Sequence, residues 1–222
     1  AVEDIANLER LGDEPVLADV LDAAKEHDDD AAGLVRIYHQ GHGMALSDVL
    51  PVLENVGFRV LEQIPYMLTL ADGKRGIEVF RVDDSSGRPL DVGRHRDRLV
   101  DALERLLKGR AENDRLNRLV VQGELTVRQV ALLRAYQMHF SQLNAATSRR
   151  FINDSLLAHP NVAADLVAFF DARFDPAIGS DRVQRMYAAR ERVLAGLAEV
   201  RSLAEDRSLR GLLDLMESTV RT

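Results

Sequence analysis

Hydrophobic and polar residues change rhythm twice along the chain. Over residues 1–32, Val16, Leu17, Val20 and Leu21 follow Glu14-Pro15, a pair suited to a first helical turn. This spacing predicts a polar helix or linker that runs into Asp28-Asp29-Asp30 and ends at Gly33. From Gly33 the pattern is mixed. Leu34-Val35-Arg36-Ile37-Tyr38 is β-branched and aromatic, hence a strand, and a glycine-bearing loop, Gln40-Gly41-His42-Gly43-Met44, follows it. Ser47 reads as an N-cap, with Val49, Val52, Leu53 and Val56 at helical spacing and Gly57 placed to end the helix. Phe58-Arg59-Val60-Leu61 reopens as a strand toward Leu70, where Pro65 marks an edge or a bulge. Asp72-Gly73 is a turn, and Ile77 to Val82 alternates as the return strand of a hairpin. After a Ser85-Ser86-Gly87-Arg88-Pro89 turn, Leu99, Val100, Leu103, Leu106 and Leu107 mark a helix that Gly109 can terminate.

The resulting order, β-α-β-β-α, is most of a ferredoxin-like split βαβ unit. A fourth strand is not evident after the second helix. Either the segment around Val16–Val20 supplies it, or the sheet has three strands. From about Arg110 to Thr222 the pattern is helical throughout. Capping boxes are expected at Thr126/Gln129 and Ser202/Glu205, with a staple between Leu125 and Val130. Further helices are expected over 148–158, 160–174 and 181–200. The fold class is therefore α+β: a β-α-β-β-α module over 33–109, preceded by an acidic helix or linker over 1–32 and followed by an all-helical segment over 110–222.

Charge and composition then narrow the chemistry. The net charge is −7, and residues 1–30 hold eleven acids against Arg10 and Lys25, so the remaining body is close to neutral. That distribution argues against a broad nucleic-acid footprint, which needs clustered basic charge. No apolar run approaches the ~20 residues of a membrane span. Cysteine is absent, which removes disulfides, thiolate metal sites and a cysteine nucleophile and fits a reducing cytoplasm. Only Lys25, Lys74 and Lys108 could act as a lysine nucleophile, and none lies in a recognisable catalytic context.

Three constellations have the residue types of a functional site. Gly41-His42-Gly43-Met44-Ala45-Leu46 lies between strand and helix like a dinucleotide fingerprint, but Leu46 stands where the third glycine belongs, although Glu62 lies near the spacing of the ribose acid. His39 and His42 are two loop histidines without a nearby carboxylate, one of them expected on the sheet edge; no metal site is expected. His95, His139 and His159 read as surface or capping residues. Leu125 to Arg134 is similar to the opening helix of a helix-turn-helix activator, but no basic recognition helix follows. No paired carboxylates, serine–histidine set or Walker sequence stands out, so no catalytic and no cofactor-binding residue is assigned.

Several stretches together resemble one family, the large NAD-specific glutamate dehydrogenases of bacteria. Ala45 to Val60 (ALSDVLPVLENVGFRV) is similar to the family's "PLSDVLPMLENLGLRV". Leu125 to Tyr136 is similar to "LSWREVALLRAY", Phe151 to Pro176 to "EDTLLRHPEIA…LFEARFDP", and Ser202 to Arg210 to "SLDEDRILR". The resemblance covers most of 33–222 and misses the acidic leader. It implies an ACT-like module followed by helices, the part that governs regulation and assembly, in a cytoplasmic homo-oligomeric enzyme that uses NAD. The family's substrate lysines and NAD fingerprint would lie beyond Thr222, so this segment itself would hold no cofactor, and its partners would be the catalytic domain of the same chain and an amino-acid effector. An effector in such a module uses the loop after the first strand, here Gly41, His42, Gly43, Met44 and Ser47. Free backbone N–H groups at the helix start can receive a carboxylate there, although Asp48 would repel one. Two other readings stay open: an amino-acid-responsive transcription regulator, and a structural adaptor.

Overall fold

A computed structural model describes residues 2–12, 14–23, 33–41, 43–70, 73–85, 91–144 and 146–220. The chain divides into two compact units, 1–121 and 122–222.

The first unit is built on one four-stranded sheet. Its elements are α1 (Val2–Arg10), β1 (Val16–Asp22), β2 (Gly33–Gln40), α2 (Leu46–Val56), β3 (Phe58–Leu70), β4 (Gly73–Asp84) and α3 (Val92–Leu107), followed by a short 3-10 turn at Arg115–Arg118. The strand order is β1-β2-β4-β3, and every neighbouring pair is antiparallel. β2 and β3 therefore run in the same direction with β4 between them, the split β-α-β arrangement expected from the sequence. The fourth place is taken by β1, which comes before the unit's first expected strand instead of after its last helix. The module is thus ferredoxin-like with its edge strand supplied from the N-terminal side.

That placement corrects the helical reading of Val16 to Leu21. Each β1 residue pairs with β2, from Val16↔His39 to Asp22↔Gly33. Val16, Ala18 and Val20 are buried on one face of the strand and Leu17 and Asp19 on the other, and burial on both faces, with a ready ladder partner, outweighs the Glu14-Pro15 helix signal. The outer edge of β1 is not left bare, because its Ala18 N–H donates to Glu104 Oε1 of α3 at 3.3 Å. The helix expected to have Ser47 as its N-cap begins two residues earlier. Ala45 is its N-cap and no side chain caps it, whereas Ser47 lies inside the first turn with its hydroxyl on Asp48 Oδ1 at 3.3 Å. Gly57 ends the helix at φ 114°, where a side chain would be strained. Pro65 lies on the edge strand β3, and the bulge is three to five residues before it, between Val60 and Glu62. The Asp72-Gly73 turn tip at 71–72 and residues 86–90 lie outside the described residues.

One face of the sheet carries the main core. Val20, Val35, Ile37, Phe80 and Val82 meet Val52, Leu53, Val56, Leu99 and Leu103 from α2 and α3, all buried. The opposite face is partly covered by α1 and the turn after it, whose Leu8 and Leu11 pack on Leu17, Tyr38 and Ile77. A nine-residue helix is marginal alone, so side chains of the sheet hold its ends. Asp4 accepts from Tyr38 Oη at 2.9 Å and from Arg36 Nη1 at 3.2 Å, and Arg75 Nη1 donates to the Leu8 carbonyl at 2.7 Å. Burial above all pushes the Tyr38 hydroxyl up to about 12; the Asn7 hydrogen bond opposes this and the Asp4 charge adds to it. A group whose folded value is raised stabilises fully below its unfolded value, near 10, and that contribution is lost as pH rises toward 12. Alkaline titration of phenolate absorbance is expected to show one of the four tyrosines ionising only at about 12. Stability should fall across that interval, and Tyr38→Phe should flatten the fall; ionisation of all four near 10 would contradict the arrangement.

The second unit is helical: α5 (Val127–Leu143), α6 (Arg149–Ala158), α7 (Pro160–Phe174), α8 (Arg182–Ala198) and α9 (Leu203–Ser218). A short α4 (Leu119–Gln122) spans the division between the units. The Thr126/Gln129 capping box is complete. At Ser202/Glu205 only half of the expected box forms: Ser202 accepts from the Glu205 N–H, but the Glu205 carboxylate reaches His159 Nε2 at 2.9 Å instead. That contact ties the α6–α7 junction to the start of α9. α5 continues unbroken for 17 residues where a helix-turn-helix would turn sharply. The carbonyls at the end of α7 and in the loop after it meet one guanidinium. Arg182 Nη1 donates to the Arg173 carbonyl at 2.6 Å, and Nη2 to the Asp175 and Ile178 carbonyls at 2.6 and 2.9 Å.

Candidate functional site

The loop between β2 and α2 carries the residues singled out from the sequence. Gly41 has φ 79° and its N–H donates to the Lys74 carbonyl at 2.8 Å, while nothing stands within 4 Å of where a side chain would begin. Its role is therefore backbone conformation rather than clearance. Gly43 sits over a carboxylate: a Cβ there would lie 3.7 Å from Glu78 Oε1. Met44 is half-buried and Ser47 exposed. His42 lies outside the described residues. Together the loop delivers the chain to a helix start whose first-turn amides have no side-chain cap, beside the negative charge of Asp48.

Beneath the loop is a polar group that the sequence alone does not reveal. His39 Nε2 lies 3.4 Å from Glu78 Oε1, both side chains being almost wholly buried. Gln63 Nε2 donates to the other oxygen of Glu78 at 2.8 Å. Three strands thus converge here: β2 brings the histidine, β4 the glutamate and β3 the glutamine. This corrects two expectations. His39 is on a central strand and faces the helix layer, not the sheet edge, and a carboxylate does stand near it, 39 positions on in the chain. Glu78 was hidden because alternation over Ile77 to Val82 places it among polar positions. Pairing instead puts Glu78 on the same face as Phe80 and Val82. Gly76 is directly opposite His39, and a Cβ there would come within 2.2 Å of the ring. A glycine inside an otherwise alternating strand marks close approach, and that was the signal available.

The remaining candidates are dispersed. Lys108 is buried, with its ammonium 3.0 Å from Glu14 and 3.1 Å from Glu104, and it holds the Glu14 carboxyl below its ordinary range. Lys74 is exposed and Lys25 lies outside the described residues. His95, expected at the surface, is buried in the first turn of α3. His159 stands at the α6–α7 junction, and His139 is exposed. Among the described residues no group of three or more histidine, cysteine or acidic side chains could hold a metal ion. No described helix is long and apolar enough to cross a membrane.

The same geometry tests whether the glycine loop fits a dinucleotide. It does not. A dinucleotide fold needs parallel neighbouring strands and a helix packed closely through a third glycine. Here β2 is flanked by antiparallel strands, Leu46 occupies the glycine's place, and Glu62 is spent on Arg81 at 2.8 Å.

Comparison with known proteins gives both units a family. The profile described as "Glutamate dehydrogenase, ACT3 domain" matches residues 21–94, and "Glutamate dehydrogenase, helical motif 3" matches 111–176. An NAD-specific glutamate dehydrogenase from Halomonas elongata is 33% identical over the whole chain. One from Pseudomonas aeruginosa is 39% identical over 84% of it, and one from Mycobacterium tuberculosis 32% over all of it. The chain spans 14%, 12% and 14% of those relatives' lengths. With profile matches in both units and relatives above 30% identity along its length, the chain belongs to the NAD-specific glutamate dehydrogenase family, of which it carries the ACT3 and third helical-motif regions.

Proposed function

We propose that this chain is a non-catalytic regulatory and assembly segment of an NAD-dependent glutamate dehydrogenase. The parent reaction is the oxidative deamination of L-glutamate by NAD and water to 2-oxoglutarate, ammonia and NADH. The segment's partners are the catalytic part of the same enzyme and a free amino acid as effector. The observation that carries the reading is the β2–α2 loop: two glycines deliver the backbone to an uncapped helix start, in a unit matched by an ACT-domain profile. Amide groups at such a start attract a carboxylate, and Asp48 makes the site selective for a ligand that also carries a positive charge. The dinucleotide-incompatible loop agrees with a segment that leaves NAD to the rest of the enzyme.

A thermal-shift screen of the chain against the free amino acids and NAD tests this. A site filled to ~100 times its dissociation constant adds about 2.7 kcal/mol, which for a chain of this size is a rise of roughly 5–10 °C. One amino acid should give such a rise and NAD none. A rise with NAD, or none with any amino acid, would contradict the reading.

A further inference from the structure

We propose that the helical unit binds a small organic anion, a carboxylate on an aromatic or aliphatic body, in a cavity between α5, α6 and α9. The site is separate from the β2–α2 loop and stands without it, because every residue lining the cavity lies in the second unit. Its origin is in the sequence. Ala204, Ser208 and Gly211 follow one another at i, i+4 and i+7 on a single face of α9. Side chains this small leave a space of about 580 Å³, which Phe140, Asn144, Ser148 and Phe151 close from the ends of α5 and α6. That volume is within the range of small-molecule sites. The walls are held in place. The Phe140 ring lies so close to α9 that a Cβ on Gly211 would run into it. The Thr147 N–H donates to the Asn144 carbonyl at 3.0 Å, and Ser148 Oγ accepts from the Phe151 N–H at 3.2 Å.

The lining identifies the class of occupant. Phe140 and Phe151 are half-buried and offer two phenyl rings to it. Arg207 brings a positive charge to the same cavity, and no acidic side chain lines it. The acids beside Arg207 on α9 are engaged elsewhere: Glu205 with His159 at 2.9 Å and Asp206 with Arg210 at 2.9 Å. Among the described residues Arg207 has no ion pair or hydrogen bond of its own. The Ser208 hydroxyl is spent on the Ala204 carbonyl at 3.0 Å, which leaves Asn144 and Thr147 as neutral donors beside the guanidinium. A guanidinium pairs with a carboxylate through two parallel hydrogen bonds, and the rings take up a flat or branched apolar body. A cationic ligand would be repelled by Arg207, and an inorganic anion would leave both rings in water.

3-Phenylpropionate is the probe, because it carries the carboxylate and the ring but no ammonium group to suit the loop beside Asp48. Calorimetric titration of the 222-residue chain should show saturable binding with a dissociation constant of about 1 mM or lower. The neutral 3-phenylpropionamide should bind about tenfold more weakly. In Arg207→Gln the acid and the amide should bind alike, and Ala204→Leu, which fills the cavity, should abolish binding of both. Both substituted side chains are exposed, so melting followed by circular dichroism should stay near wild type. Gly43→Val, in the other unit, should change nothing. No saturable binding of the acid, equal affinity of acid and amide in wild type, or binding indifferent to Arg207→Gln and Ala204→Leu would overturn the proposal. So would binding that Gly43→Val removes, which would assign the probe to the β2–α2 loop.

Discussion

Gly76→Ala is expected to lower the stability of the first unit by about 3 kcal/mol, near the top of the range for overpacking a core. The added Cβ would fall 2.2 Å from His39 Nε2 and 2.3 Å from Cε1, with Met67 Sδ 3.1 Å away on the other side. An exposed ring would swing aside at little cost, but His39 is 3% exposed and tied to Glu78. Accommodating the methyl group therefore means breaking the buried pair or spreading β2 from β4. In a thermal melt followed by circular dichroism this corresponds to a fall of roughly 6–12 °C. Removing the obstruction should restore much of the loss, so His39→Ala should cost less in the Gly76→Ala background than in wild type, a coupling that a double-mutant cycle reads directly. A Gly76→Ala chain melting with wild type would mean that the ring does not lie over the glycine.

Arg182→Ala is expected to cost the second unit about 2 kcal/mol. Its guanidinium is the shared donor to the carbonyls of Arg173, Asp175 and Ile178, groups that the end of α7 and the following loop would otherwise leave to water. Hydrogen bonds from a charged donor are worth about 1.5–3 kcal/mol each when buried; partial exposure of Arg182 reduces the sum. Arg182→Lys should recover only part, since an ammonium keeps the favourable charge at a helix C-terminus but lacks the planar fork that spans separate carbonyls. Urea unfolding of the three proteins should rank them wild type, lysine, alanine; equal midpoints would show that water replaces the guanidinium freely.

These two residues also mark where sequence reading stops. Helices whose ends carry local chemistry were legible: Thr126 with Gln129 caps and Gly57 terminates where their spacing predicts. The split β-α-β order was legible because each element has its own period and turn. The fourth strand was only half legible, since β1 gains its identity from β2, eleven or more residues away, and not from its own turn signals. Ser202/Glu205 formed half a box because His159 is a competing partner 46 positions away. In the candidate site the loop glycines were visible, but the His39–Glu78–Gln63 cluster under them was not. Its members come from three strands, and only sheet register places them on one face.

On the function proposed above, this segment senses an amino acid at the β2–α2 loop and leaves NAD to the rest of the enzyme. Calorimetric titration of the chain with NAD and with the amino acid that raises its melting temperature tests both halves. Saturable heat is expected from the amino acid, lost when Gly43→Val narrows the loop above Glu78, and none is expected from NAD. Saturable NAD binding, or amino-acid binding that Gly43→Val leaves unchanged, would contradict it.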